Sequence, residues 1–257
     1  MSDLSLRIEG SLAVITLDRP AKLNALTAGM IAALADAAAT IEAAPEVRMA
    51  AITGAGGRAF CAGGDVADWS RLDPMAMGQT WVRDGHRCFD RLARLRVPLV
   101  AVLNGHALGG GLELAGVADL RIAEAHATVA LAETSLGMVP GWSGTQRLVR
   151  RYGAQAVRRM ALFGARFTAA EALTLGIVDE VVPPGEGMAR ARGLAAAVAE
   201  RGPLALTIAK QLINAADGEE REAVLEILAG ALVSTTADLR EGVAAFQERR
   251  AASFTGR

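Results

Sequence analysis

The sequence predicts an α/β protein with a layered core and a largely helical C-terminal third. Short apolar runs typical of buried strands alternate with segments in which apolar residues recur at helical spacing. Beyond about residue 167 the spacing is almost wholly helical. With 257 residues, 52% of them hydrophobic and 21% charged, the chain has enough apolar surface for one large core or a core with an appendage.

The strands come first along the chain. Residues 4–20 form the pattern of a hairpin that turns near Gly10 and Ser11, and residues 48–54 and 98–105 are short apolar runs typical of buried strands. Because strands and helices alternate from there on, we expect a sheet covered by helices.

The helices are indicated by capping residues and by prolines. Thr27 is placed to cap a helix that ends before Pro45, and residues 83–96 repeat apolar positions at helical spacing. We expect residues 1–195 to form the core that carries the active site. Residues 196–257 should form a helical subdomain whose apolar faces pack on the core or on a neighbouring subunit.

Composition excludes several classes of partner. The net charge of −1 and the sequence pI near 6.3 argue against nucleic acid as a partner. Cys61 and Cys88 are too few for a disulfide framework, and no spacing of cysteine and histidine suits a metal. The longest uncharged run, between Arg96 and Glu113, is short for a membrane span, and the first residues lack the features of a signal peptide. We expect a soluble, cytoplasmic protein with a small-molecule ligand.

Two glycine-rich loops are the candidate functional elements. Residues 104–116, NGHALGGGLELAG, place three glycines between a strand and a short helix, where backbone N–H groups bind negative charge. Residues 54–70 repeat the arrangement, with Gly63 and Gly64 before a second helix. Two such turns aimed at one point would form an oxyanion hole. Neither loop completes a dinucleotide or a Walker motif.

Several other polar residues are candidates for a catalytic role. We expect Asp65 to cap the helix that starts near Val66, and so to act through position. The three histidines, His86, His106 and His126, have no serine or cysteine at a recognisable motif spacing, and structural roles are favoured for them.

The motifs AFCAGGDV, NGHALGGGLELA and AETSLGMVPGWSGTQRL, in this order, resemble the crotonase superfamily, the enoyl-CoA hydratase/isomerase family. The resemblance spans essentially the whole chain. It implies a ββα spiral core with a helical C-terminal trimerisation region. It also implies a homotrimer or a dimer of trimers, an acyl-CoA thioester as ligand, and no cofactor or metal beyond the coenzyme A of the substrate.

The resemblance also assigns the reacting groups. Gly64 and Gly110 match the two oxyanion-hole donors of the family, which bind the thioester carbonyl. Glu113 and Glu133 match the two catalytic glutamates of hydratases, and their like charges should drive their pKa values apart. By resemblance Glu113 would activate water and Glu133 would protonate the α-carbon, a division that the sequence alone leaves open.

The remaining implied site residues bind the rest of the substrate. Those matching the coenzyme A site are Lys22, Leu23, Ala62, Gly64, Asp65, Val66, Gly110 and Phe246, the last reaching the adenine from a neighbouring subunit. Trp81, Gly141 and Trp142 are candidates for the acyl pocket, and core packing is the alternative for both tryptophans. The arginine-containing tail after Phe246 lacks a lysine that some relatives use for phosphate contacts.

The sequence therefore predicts an enoyl-CoA hydratase that adds water across a trans-2-enoyl-CoA to give a 3-hydroxyacyl-CoA through a stabilised enolate. The alternatives within the fold are a Δ3,Δ2-enoyl-CoA isomerase or another crotonase-type acyl-CoA hydrolase or dehydratase. The alternative of a different class is a noncatalytic acyl-CoA binding subunit.

Overall fold

The computed structural model describes residues 3–219, 227, 232 and 235–257. Its strands are β1 (Leu4–Glu9), β2 (Leu12–Leu17), β3 (Met49–Gly54), β4 (Ala59–Cys61), β5 (Leu99–Leu103), β6 (His106–Leu108), β7 (Leu120–Glu124), β8 (Thr128–Ala130), β9 (Arg166–Thr168) and β10 (Glu180–Val182). Its helices are α1 (Ala28–Ala43), α2 (Val66–Trp69), α3 (Pro74–Ala76), α4 (Arg83–Ala93), α5 (Gly110–Ala115), α6 (Arg147–Tyr152), α7 (Ala154–Phe163), α8 (Ala169–Thr174), α9 (Gly187–Ala199), α10 (Pro203–Ala216) and α11 (Ala237–Glu248). The predicted α/β class is confirmed.

The larger sheet has six strands in the order β1-β2-β3-β5-β7-β10. The predicted hairpin is present, since β1 and β2 pair antiparallel around Gly10, whose φ is +63°. The other strands of this sheet pair in parallel, with Ile52 of β3 opposite Ile15 and Ala101. Every residue of β3 and β5 is buried, which explains why these two strands are continuous apolar runs in the sequence.

The smaller sheet, in the order β4-β6-β8-β9, positions both glycine loops. Its strands β4 and β6 are parallel neighbours, so their C-terminal ends meet at one edge. The prediction that the strand at residues 98–105 leads directly into the triple glycine is wrong. That strand ends at Leu103, and the separate strand β6 precedes the turn. The chain changes sheet at Gly105, where a β-carbon would collide with the backbone of Arg58.

The two predicted helices of the N-terminal half are confirmed. The hydroxyl oxygen of Thr27 accepts a hydrogen bond from the N–H of Met30 at 3.2 Å, and α1 ends before Pro45. Helix α4 occupies most of the segment predicted between residues 83 and 96. The expectation of an almost wholly helical region beyond residue 167 is wrong at β10, which pairs in parallel with β7. Three half-buried residues are too few to show the period-two pattern of a strand.

The chain divides into two compact units, Met1–Thr207 and Ile208–Arg257. The predicted boundary between residues 195 and 196 lies inside α9 and stays a prediction. In the second unit, α11 begins after Thr236, whose hydroxyl accepts a hydrogen bond from the N–H of Leu239 at 3.1 Å. Parts of the predicted helical tail, at positions 220–226, 228–231 and 233–234, lie outside the described residues. No helix of the described segments is long and apolar enough to cross a membrane.

Candidate active site

The two glycine loops contact each other backbone to backbone. Gly63 has a φ of +100°, and a β-carbon on it would lie 3.3 Å from the backbone nitrogen of Gly110 and 3.1 Å from the carbonyl oxygen of Leu108. The first loop is also tied to Leu26, which donates to the Gly63 carbonyl and accepts from the N–H of Asp65, both at 2.8 Å. Since no side chain separates the loops, they form one backbone surface.

Two N–H groups of this surface have no hydrogen-bond acceptor in the described backbone. Within the described residues, no backbone carbonyl accepts a hydrogen bond from the N–H of Gly64 or of Gly110. Gly110 is the first residue of α5, where the helix itself supplies no acceptor, and Gly109 precedes it with a φ of +53°. The triple glycine thus fills the turn and also opens the helix, which starts two residues earlier than the sequence pattern suggested.

Asp65 caps α2, as predicted. Its carboxylate accepts a hydrogen bond from the N–H of Ala67 at 3.0 Å and pairs with Arg19 at 2.9 Å. Although partial burial acts in the opposite direction, these bonds and the charge of Arg19 hold the pKa of Asp65 below its ordinary value. Asp65 therefore stays a carboxylate that fixes the first loop.

Glu113 is a buried carboxyl with two strong donors. The side chain is 2% exposed, and its Oε1 accepts hydrogen bonds from the N–H groups of Trp142 and Gly144, each at 2.7 Å. Burial raises the pKa of Glu113 to about 7, and the charge of Glu133 adds to this shift. The two N–H donors and the charge of Arg147 oppose it. A carboxyl in this state can take up or release a proton near neutral pH.

Glu133 is a buried carboxyl without such donors. It begins a short 3₁₀ helix, Glu133–Leu136, and neither of its carboxyl oxygens has a hydrogen-bond partner among the described residues. Burial raises its pKa; the backbone N–H groups of Ala132 and Glu133 oppose this shift in part, although neither meets the geometry of a hydrogen bond. Its Oε1 lies 2.8 Å from the place of a β-carbon on Gly109, so that glycine makes room for the carboxyl.

Trp142 forms the back wall of the glycine loops. The residue is 3% exposed, and its rings lie 5.1 Å from Trp81 and 5.2 Å from Phe89. A β-carbon on Gly110 would lie 2.7 Å from Cζ3 of this indole, and one on Gly85 would collide with it. The side chain of Trp142 packs in the hydrophobic core and also lines the cavity beside the glycine loops. Core packing and a place in the candidate pocket, the two predicted alternatives, are therefore both observed.

These elements enclose a cavity of about 130 Å³. The cavity brings together the predicted residues Ala62, Gly64, Val66, Trp81, Gly110, Glu113, Glu133, Gly141 and Trp142. The sequence interpretation missed the lining residues Trp69, Val82, Ala132, Leu136, Met138 and Val139. The last three flank Gly137 in the segment that supplies Glu133, and their apolar character was the available signal.

Other predicted residues lie outside this cavity. Lys22 is exposed, and the carbonyl of Leu23 accepts a hydrogen bond from the N–H of Ala62 at 3.0 Å. Asp65 supports the loop from outside, as described above. Phe246, in the second unit, lies on α11 and is 85% exposed. No cluster suited to hold a metal ion occurs in the described part of the chain.

A polar cluster flanks the segment that holds Glu113. Ser143, between the two donors, has a φ of +83°, and its Oγ lies 3.1 Å from Nδ1 of His86. Arg147 pairs with Asp90 at 2.6 Å. None of the three histidines lines the cavity, within the residues described. His86 thus contacts a serine that motif spacing did not reveal. The structural role favoured for His86 stays a prediction.

Two uncommitted N–H groups beside two buried carboxyls define a site suited to stabilise an oxyanion while protons are moved. The sequence model of the family "Enoyl-CoA hydratase/isomerase" matches residues 7–257, and the chain belongs to this family. The resemblance to the crotonase superfamily and the crotonase-type fold are confirmed. The trimerisation role of the C-terminal region stays a prediction.

Relatives and solved structures that match nearly the whole chain support the same family assignment. YngF of Bacillus subtilis strain 168 is 40% identical over 249 residues, which are 95% of this chain and 95% of that protein. A short-chain-enoyl-CoA hydratase of Clostridium acetobutylicum is 34% identical, over 97% of this chain and 96% of its own. The crystal structure of an enoyl-CoA hydratase from Bacillus anthracis superposes with a TM-score of 0.82 at 31% identity, covering 99% of this chain and 100% of that one.

Proposed function

We propose that the protein is an enoyl-CoA hydratase that adds water across a trans-2-enoyl-CoA and forms a 3-hydroxyacyl-CoA. The observation that carries the proposal is the contrast between two buried carboxyls at one cavity. Glu113 accepts two backbone hydrogen bonds, whereas Glu133 accepts none from the residues that the structure describes. Hydration needs one base and one acid, and different environments are how proteins keep two carboxyls in different protonation states. The 34% identical hydratase of Clostridium acetobutylicum supports this choice.

The glycine loops bind the reacting carbonyl in this proposal. The N–H groups of Gly64 and Gly110 donate to the thioester oxygen, which gains charge as the thioester becomes an enolate. Because the donors are backbone groups held by packed loops, they need no rearrangement as the charge develops. Each such donor stabilises the transition state by about 2.7 to 4 kcal/mol in comparable sites.

The glutamates supply the proton transfers. Glu113, whose carboxylate form is stabilised by Trp142 and Gly144, accepts a proton from water while the water oxygen bonds to the β-carbon. Glu133, whose pKa is raised by burial and whose carboxyl has no hydrogen-bond partner among the described residues, delivers a proton to the α-carbon as the enolate collapses. One proton enters the pair and one leaves it, so the net reaction is the addition of one water. No metal or redox group takes part in the proposal.

The coenzyme A moiety and the assembly belong to the same proposal. Exposed Lys22 and the loop around Ala62 are assigned to the coenzyme, and Phe246 is assigned to the adenine of a neighbouring subunit. Leu239, Val243 and Phe246 recur along α11 at helical spacing and are 41%, 48% and 85% exposed. This exposed apolar stripe supports an interface between subunits, since such patches mark protein interfaces. The family resemblance supplies the number of subunits, a homotrimer or a dimer of trimers.

The test is turnover of matched substrates by the wild-type protein. We expect crotonyl-CoA to lose its conjugated-thioester absorbance as water adds, and the product to be 3-hydroxybutyryl-CoA by mass. Faster conversion of a 3-enoyl-CoA to a 2-enoyl-CoA would instead identify an isomerase. Binding of crotonyl-CoA by calorimetry without any turnover would identify a binding subunit.

A further inference from the structure

A second and larger cavity lies next to the catalytic one. Its volume is about 420 Å³, and it is bounded by α1, α2 and α4. Ile31, Ala35, Leu72 and Cys88 contribute apolar lining. The charged residues that also line the cavity are Asp68, Asp84, Arg87 and Arg91. Trp81 is the one residue of the described chain that lines both cavities.

Trp81 contributes to the lining of both cavities. It lies in the π-helical turn Met77–Val82 that precedes α4, and π-helical turns occur often at functional sites. Its Cζ2 atom is 2.8 Å from the place of a β-carbon on Gly64, and its ring packs on Trp142. One side of the indole therefore faces the oxyanion loop, whereas the larger cavity lies beside the same residue.

The two volumes differ in what they can hold. Small-molecule pockets in proteins measure about 300 to 1,000 Å³ and are mostly apolar. The catalytic cavity, at about 130 Å³, falls below this range, and the second cavity falls within it. The catalytic side of Trp81 therefore offers an acyl group less volume than the apolar space on the other side of the same residue.

We propose that Trp81 is a specificity-determining partition, which confines the acyl group to the catalytic cavity and separates it from an apolar chamber that a longer chain enters when the indole is removed. The proposal rests on the proposed function, because it concerns the acyl group of the same substrate. It requires no change in the glycine loops. The Trp81 carbonyl, which accepts a hydrogen bond from Nε1 of Trp142 at 3.2 Å, is a backbone group and survives substitution of the side chain.

The test compares kcat/KM for crotonyl-CoA, with four acyl carbons, and trans-2-decenoyl-CoA, with ten. The wild type should prefer the short substrate. Trp81→Ala should raise the ratio of the long to the short substrate by at least about 10-fold, the scale of discrimination in apolar pockets. Trp81→Phe should fall between the two. An unchanged ratio in folded Trp81→Ala, or a wild type that already hydrates both substrates equally well, would overturn the proposal.

A second substitution shows which space the long chain enters. Ala35 lines the chamber from α1 and does not line the catalytic cavity, so Ala35→Phe fills the chamber alone. Added to Trp81→Ala it should abolish the gain with decenoyl-CoA, and alone it should leave crotonyl-CoA hydration unchanged. If the double variant keeps the gain, the chamber is not the acceptor and the proposal is wrong. Should Trp81→Ala fail to fold by circular dichroism, the same comparisons in the Trp81→Phe background decide.

The assays distinguish failure of this proposal from failure of the proposed function. A wild type that hydrates neither substrate contradicts the hydratase assignment, whereas one that hydrates both equally contradicts only the partition.

Discussion

The backbone N–H of Trp142 donates a 2.7 Å hydrogen bond to the carboxyl of Glu113. The indole of the same tryptophan packs against Gly110, an assigned oxyanion donor, and against Gly85 of α4. One residue therefore positions the carboxyl through its main chain and supports the glycine loop through its side chain. The two parts of the proposed machinery are thus physically connected, and substitution of the indole separates them.

The contact between Gly85 and Trp142 gives the first prediction. A glycine inside a helix usually costs about 0.5 to 1 kcal/mol relative to alanine, but at Gly85 the indole occupies the place of the β-carbon. Gly85→Ala should therefore lower the free energy of unfolding by about 1 to 3 kcal/mol, as overpacking does. In a Trp142→Ala background, the same substitution should be neutral or stabilising. Urea unfolding of the four proteins of this cycle measures the coupling.

Gly193 provides the matched control for that cycle. It lies on the exposed side of α9, and the nearest atom to its β-carbon position is Nη1 of Arg190 at 4.0 Å. Gly193→Ala should stabilise the protein by about 0.5 to 1 kcal/mol in either background. If Gly85→Ala behaves in the same way as Gly193→Ala, the indole does not fill the place assigned to it.

The raised pKa of Glu113 gives a prediction about stability against pH. The carboxyl has an ordinary pKa of 4.5 and a folded pKa of about 7, so between these values the native protein holds a proton that the unfolded chain has released. The contribution is fully present below pH 4.5 and is lost as the pH rises through 7. Glu113→Gln should remove a decline of about 2 to 3 kcal/mol between pH 4.5 and pH 8.

Urea unfolding at a series of pH values measures this decline. Glu46→Gln is the matched control, since Glu46 is exposed, and its curve should follow the wild type. Part of the wild-type decline should persist in Glu113→Gln, because burial also raises the pKa of Glu133. Parallel curves for the wild type and Glu113→Gln would show that the pKa of Glu113 is not raised in the native state.

The regular features of the fold could be predicted from local sequence. Thr27 and Pro45 mark the two ends of α1, and the apolar run before Asn104 indicates a buried strand, because caps, prolines and continuous apolar runs act within a few residues. The three-residue strands were not predicted, because pairing with neighbouring strands decides the conformation of such short segments; they are β4, β6, β8, β9 and β10.

The site residues also fall into two groups, those that local sequence indicates and those that it does not. Motifs indicated Glu113 and the glycine loops, because the turn and the helix that follows it are local. Other features depend on contacts between segments that are distant in the sequence, so residue spacing does not indicate them. They are the hydrogen bond from the N–H of Gly144, the position of Trp69 in the cavity lining, and the contact with Trp142 that requires glycine at position 85. Glu133 was assigned through the family motif alone, since its burial is set by the packing around Gly109.

The exposed stripe on α11 gives a prediction about assembly. Light scattering should show a trimer or a hexamer for the wild type. Val243→Asp, at the centre of the stripe, should shift the protein toward monomers, because it places a charge in the proposed interface. Glu248→Gln, on the same helix, changes a charge outside the stripe and serves as the control. A wild type that is a compact monomer at micromolar concentration would contradict the trimer and the shared coenzyme A site.

The rates of crotonyl-CoA hydration by Glu113→Gln, Glu133→Gln and the double variant test the paired-carboxyl mechanism most directly. Glutamine preserves the shape of each side chain, and at Glu113 it retains an oxygen that can accept from Trp142 and Gly144. Each single variant should lose about 10²- to 10⁴-fold in kcat, with the circular dichroism spectrum unchanged. The double variant should lose far less than the product of the two losses, since the carboxyls act as a unit. Full hydration activity in either folded single variant would contradict the mechanism.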